Sequence, residues 1–173
     1  PHLDFLATYF IQERLIDLLK ARQIGASWLA AAYSLWHVLS QRGAKVLLLS
    51  KGERESVELL DKCRYIFNHL PAWLSSKETL DGQIRKENLV DPLLYDSATT
   101  MAFRQMESRI VALPATQTAG IGEASSKVIY DECDKRENVT YQDEEQSYAS
   151  VKPTIDAGGQ LIQMTTVNKL RPD

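Results

Sequence analysis

Residues 20 to 27, Lys20-Ala21-Arg22-Gln23-Ile24-Gly25-Ala26-Ser27, combine cations, a glycine and a hydroxyl in one short run. They lie between an apolar run, Leu15 to Leu19, and a long Ala-, Leu- and Trp-rich stretch from Ser27 to Gln41. The first reads as a strand and the second, too long for a strand, as a helix. A loop that opens a helix aims backbone N–H groups at a ligand, and the helix dipole favours an anion there. The usual triphosphate cradle is G-x-x-x-x-G-K-[ST]. Gly25 and Ser27 match its sixth and eighth positions. Lys20 stands at the first position, and Ala26 stands where the lysine is expected. A lysine stem is long and flexible, so an ammonium starting at the loop's entrance can still reach phosphates. Alone, a strand, a polar turn and an apolar helix are equally what an ordinary α/β core looks like.

Two further segments end in chemistry. Val128-Ile129-Tyr130-Asp131-Glu132 is an apolar strand closed by adjacent carboxylates. Ligand sites of parallel sheets lie at the carboxyl ends of strands. There the first acid can hold a magnesium ion, and the second can orient or deprotonate a water. Gln160 to Met164 reads as a strand that runs into Thr165 and Thr166, whose hydroxyls can face a terminal phosphate. Solvated acids and β-branched residues are common at strand ends, so neither segment is specific by itself. Their order is more telling: loop, acids and hydroxyls follow one another, each at a strand's carboxyl end.

The rest of the chain supplies elements to hold these residues. Lys45 to Ser50 is a continuous apolar strand of the kind covered on both faces. Leu59, Leu60, Cys63, Ile66, Phe67 and Leu70 recur at helical spacing and stop before Pro71. Short strands are expected near Ile84 and Met101, further strands at Ser108 to Leu113 and Lys127 to Tyr130, and a helix from Tyr141 to about Val151. Being apolar nearly all round, the helix after the loop is expected to be buried on the sheet. Strands alternating with helices predict one α/β domain over residues 1–173, with a mostly parallel sheet and helices on both faces.

The bulk numbers agree with a globular domain. Of 173 residues, 44% are hydrophobic and 25% charged, the ordinary soluble balance. No apolar run is long enough to span a membrane, and no signal peptide is apparent. Cys63 and Cys133 form neither a disulfide framework nor a zinc pattern, which fits a reducing compartment. A net charge of −3 does not mark a nucleic-acid surface, so DNA contacts would come from a local patch.

With these motifs in place, the chain resembles the large terminase subunits of tailed phages over roughly residues 15–170. Lys20 to Trp28 is similar to that family's variant Walker A loop, with Arg-Gln before the glycine and a displaced lysine. Ser108 to Ala115, the glycines near 120–122 and Val128 to Glu132 resemble its approach to the Walker B acids, and Thr165-Thr166 falls at its coupling motif. The resemblance implies a RecA-like P-loop ATPase using ATP and Mg2+. Lys20 and Arg22 would contact phosphates, within a cradle of Ala21, Gln23, Ile24, Gly25 and Ala26. Ser27 and Asp131 would hold the metal, Glu132 would be the catalytic carboxylate, and Thr165 and Thr166 would couple hydrolysis to movement. Such motors work in the host cytoplasm, without a membrane, as homo-oligomeric rings on a portal protein. With a small terminase subunit, they drive double-stranded DNA into a procapsid.

The family pattern is broken in places. Ile121 stands where many relatives carry a trans-acting arginine, so the resemblance assigns none. Tyr9, Phe10 and Gln12 resemble an adenine-reading segment, but Gln12 is too close to Lys20 for the helix that relatives place between them. That crowding points to two segments joined between Pro1 and Leu15. The family's nuclease half is absent from this chain, which reads as a fragment. A helicase-like P-loop ATPase domain shares the same three motifs, though usually with Gly-Lys-Thr. A degenerate module that binds ATP without turnover is the non-enzymatic alternative; Ala26 favours it and Glu132 opposes it.

Overall fold

The computed structural model describes residues 2–71, 93–115, 125–133, 148–149, 151–153 and 156–166. Three helices are defined, α1 (His2–Gln12), α2 (Ala26–Ser40) and α3 (Glu53–Asn68). The strands are β1 (Leu15–Lys20), β2 (Lys45–Ser50), β3 (Leu93–Ser97), β4 (Thr100–Phe103), β5 (Ser108–Pro114), β6 (Lys127–Asp131) and β7 (Gln160–Thr166). They form one sheet in the order β1-β7-β6-β2-β5-β4-β3. The first five in that order pair in parallel, while β4 and β3 add an antiparallel margin. This is the mostly parallel α/β sheet that alternating strands and helices predict.

The order has a direct consequence for the three motifs. β7 lies between β1 and β6, so the loop after β1, the hydroxyls ending β7 and the acids ending β6 emerge side by side. Central β2 is buried at all six positions, as its unbroken apolar sequence requires. On one face, Val46, Leu48, Ile110, Ile129 and Ile162 pack with Phe10 of α1, Ala30 and Leu35 of α2 and Leu60 and Cys63 of α3. On the other, Leu47, Leu49, Val128, Tyr130 and Leu161 pack with Val151, which belongs to a helical stretch at 151–153.

Several expectations are corrected. The helix α2 is not buried all round: Trp28 and Trp36 are 45% and 51% exposed, while Ala30, Ala31, Leu35 and Val38 face the core. The helix α3 starts at Glu53, before its apolar periodicity begins; acidic Glu53 and Glu55 favour a first turn that hydrophobic spacing misses. The strand near Met101 is β4, which buries Met101 and Phe103 alternately, and its hairpin partner β3 was not foreseen. Ile84 and most of the 141–151 segment lie outside the described residues. The helix α1 fills residues read as an upstream aromatic segment and passes into β1 through Glu13 and Arg14, whose main chains bond to Tyr9 and Leu161.

At the amino ends of the strands, Lys127 Nζ donates to Tyr33 Oη at 2.9 Å and Gln160 Oε1 at 2.7 Å. Gln160 Nε2 in turn donates to the carbonyls of Phe10 and Glu13, tying α1 to the sheet. Burial without a carboxylate partner among the described residues pushes Lys127 down to about 8. Burial and the Lys127 charge push neighbouring His37 down to about 4, with its Nε2 3.0 Å from Ser126 Oγ. Between pH 4 and 6.5 the unfolded chain therefore binds a proton at His37 that the folded chain refuses, and stability falls as pH drops through that window. The expected loss of Tm is about 5 °C after allowing for partial exposure. His37→Gln should flatten that part of the Tm–pH curve; an unchanged slope would remove His37 as its cause.

Candidate functional site

The loop between β1 and α2 turns through two left-handed residues, Gln23 (φ 62°) and Gly25 (φ 83°). Glycine accepts that conformation freely, and any side chain at 25 would be strained there. A β-carbon on Gly25 would also meet Leu3 of α1 at 3.4 Å. His2 Nε2 lies 3.1 Å from the Ile24 carbonyl, so the start of α1 braces the loop from outside. Gly25 directly precedes α2, and no side chain caps that helix end. Its first N–H groups are thus available in the geometry that suits phosphate.

Three of the predicted residues converge at the mouth of the sheet. Lys20 Nζ donates to Asp131 Oδ1 at 2.7 Å and to Ser27 Oγ at 3.0 Å, and Ser27 Oγ donates to Asp131 Oδ2 at 2.5 Å. The Glu132 N–H adds a third bond to the carboxylate, at 3.1 Å to Oδ1. Lys20 and Asp131 are each 8% exposed. A hydroxyl and a carboxylate in contact at a loop-to-helix junction form the donor pair expected around magnesium in a P-loop site, so the residues fit that ion.

A cleft of about 480 Å³ opens over this cluster. It is lined by the whole loop from Lys20 to Trp28, including Ala21, Arg22, Gln23, Ile24 and Ala26, and by Lys51, Lys62, Glu132 and Thr166. Glu132 has φ 58°, an uncommon conformation for a non-glycine residue and one that gathers at functional turns. Thr166 pairs in register with Lys20 and reaches the cleft, whereas Thr165 pairs with Leu19 and, by strand alternation, faces the other side of the sheet. Gln12 is not brought to the loop. It sits before β1, one strand length or about 20 Å away, where it lines a separate cavity with His37 and Lys127.

Sequence reasoning missed Lys51, Lys62 and Trp28. Lys51 Nζ lies 3.6 Å from Glu55 Oε1 and 3.7 Å from Glu132 Oε2. It directly follows β2, so the strand-end rule that selected Asp131 would have selected it too. Lys62 comes from the middle of α3, and nothing local in the sequence marks it as facing the loop.

No protein-family model matches the sequence, and no curated protein is significantly similar to it. Among solved structures, the chain is similar to the large terminase ATPase domain of Thermus phage P74-26. The TM-score is 0.59 at 13% identity, over 91% of this chain and 61% of that one. A point mutant of the same domain aligns with TM-score 0.63 at 13% identity, over 96% of this chain and 65% of that one. The chain thus spans under two thirds of the length of the structures it matches. At that identity the likeness is one of fold: a RecA-like α/β domain built on a mostly parallel seven-stranded sheet.

Proposed function

We propose that this chain is a P-loop ATPase domain whose hydrolysis of ATP drives double-stranded viral DNA into a procapsid. The convergence of Lys20, Ser27 and Asp131 beside a helix-capping loop carries the reading. The backbone N–H groups of residues 23–27 cradle the phosphates. Lys20 and Arg22 offset their charge, and Ser27 and Asp131 hold the magnesium ion. When bound, that ion would supply positive charge against the negative charge developing on the phosphates. Glu132, at the rim, orients the attacking water and takes its proton. Thr166, the β7 hydroxyl that reaches the cleft, couples the loss of the terminal phosphate to the sheet.

The packaging role rests on two supports, the fold shared with a large terminase ATPase domain and the Lys20-to-Trp28 phrase that resembles that family's loop. It implies a homo-oligomeric ring with portal protein, small terminase subunit and duplex DNA as partners, in the host cytoplasm. Among the described residues no helix is long and apolar enough to cross a membrane. The test is ATP turnover by the full-length protein with Mg2+ and duplex DNA. Absence of both nucleotide binding and turnover would reject the proposal, and tight binding without turnover would favour a nucleotide-binding module.

Lys51 gives a finer test. It stands between Glu55 and Glu132 on the cleft wall, so it holds the Glu132 carboxylate without being expected to touch the reacting atoms. Lys51→Met should slow turnover by roughly 10-fold or more, on the scale of orienting residues around metal sites, and Lys51→Arg should recover most of it. Equal rates in Lys51→Met and the parent would show that Glu132 is oriented by other contacts.

A further inference from the structure

We infer that the Lys20 ammonium is the resident cation of the metal position, occupying the shell of Ser27 and Asp131 until a divalent ion arrives with nucleotide. The inference rests on the P-loop reading above and adds a second task for its lysine. Lys20 Nζ sits 2.7 Å from Asp131 Oδ1 and 3.0 Å from Ser27 Oγ, the two groups that reading gives to magnesium. Both carboxylate oxygens are engaged, one by Lys20 and the Glu132 N–H, the other by Ser27. An ammonium and a divalent cation cannot share this shell, because they repel and need the same lone pairs.

The physical reason for such an arrangement is burial. The side chains of Lys20 and Asp131 are 8% and 12% exposed. An ionised carboxylate that deep is costly without a counter-charge. Ser27 and Asp131 are also too few to hold magnesium alone, since the ion takes six oxygens and binds through a few carboxylates plus substrate phosphates. Among the described residues no group of three His, Cys, Asp or Glu side chains could hold a metal. Lys20 therefore neutralises the Ser27–Asp131 shell. When metal and triphosphate enter together, the phosphates offer the displaced ammonium a new partner within reach of its flexible stem. The device sets an order of binding: metal alone is refused, and metal with nucleotide is accepted.

The test is Mn2+ binding to the full-length protein without nucleotide, read by the spin-resonance signal of free Mn2+. The parent and Lys20→Arg should bind Mn2+ at this site no tighter than millimolar. Lys20→Met should bind it at least tenfold tighter, and adding Asp131→Asn should abolish the gain. Lys20→Met should also gain thermal stability from Mg2+ where the parent does not; if it folds only with divalent metal, that dependence is the same result. Equal Mn2+ affinity in Lys20→Met and the parent would overturn the inference. Binding of a non-hydrolysable ATP analogue with Mn2+ to the parent separates the two levels. If the analogue binds while Lys20→Met leaves metal affinity unchanged, only the resident-cation role falls. If the parent binds no analogue, the P-loop reading falls and takes the inference with it.

Discussion

Replacing Glu132 by glutamine is expected to lower ATP turnover by ~10²-fold or more, the scale of losing a general base, with nucleotide affinity close to the parent's. Glutamine keeps the size and hydrogen-bonding reach of the side chain and loses its basicity. The separation of the two effects follows from placement. Asp131 is buried beside Lys20 and bonded to the half-buried Ser27, where it can act on metal and phosphate. Glu132 stands one residue further, in a left-handed turn on the wall of the cleft, with Lys51 3.7 Å away. A residue there is placed to act on the attacking water rather than to hold the nucleotide, so its loss should appear in kcat while KM and the analogue's Kd stay put. Single-turnover and equilibrium binding measurements on the same preparation check this. A Glu132→Gln protein that turns over at the parent rate would remove Glu132 from the mechanism.

Lys20→Ala is expected to abolish measurable hydrolysis. A triphosphate carries several negative charges, and a charge-assisted contact to phosphate is roughly twice as strong as a neutral hydrogen bond. Ala26, at the position where a standard loop has lysine, is buried and can make no such contact. Of the two basic residues in the loop, Lys20 ends β1 beside Ser27 and Asp131, whereas Arg22 is exposed at the cleft wall. Arg22 has a rigid fork better suited to a terminal phosphate or to coupling, so Arg22→Ala should be the milder change. The Lys20→Ala protein should also lose stability, because Asp131 is left buried without its counter-charge; Mg2+ with nucleotide should restore part of it. Parent-rate hydrolysis by a folded Lys20→Ala protein, measured in the assembled motor, would make Arg22 the leading phosphate cation instead.

Much of this arrangement was legible because local chemistry and sheet topology agree. Lys45 to Ser50 could only be a strand covered on both faces, and β2 is buried throughout. Gly25 marked the loop as the sixth position of the phosphate-loop pattern, and the turn into α2 uses its freedom, with φ 83° there. Asp131 was legible from the strand-end rule, and Ser27 from its place in the loop motif and the family resemblance; their side chains meet at 2.5 Å. What stayed hidden depends on long-range packing. Hydrophobic spacing marked only the later turns of α3, since its first turn is polar. The β3–β4 hairpin follows an uninformative stretch, and its pairing is set by what Met101 and Phe103 bury. Gln12 was grouped with the loop by its resemblance to the family's adenine-reading segment, yet one strand separates them in space. The contact between Lys20 and Asp131 spans 111 positions, and no local pattern predicts that the ammonium sits on the carboxylate rather than over the loop.

The most direct test is a structure of the protein with Mg2+ and a non-hydrolysable ATP analogue. The β- and γ-phosphates are expected against the N–H groups of residues 23–27, with the metal held by Ser27 and Asp131. Lys20 Nζ is expected to be withdrawn from Asp131 onto a phosphate oxygen. A nucleotide bound elsewhere, or bound in the cleft with Lys20 still on Asp131 and no metal at Ser27, would contradict this arrangement.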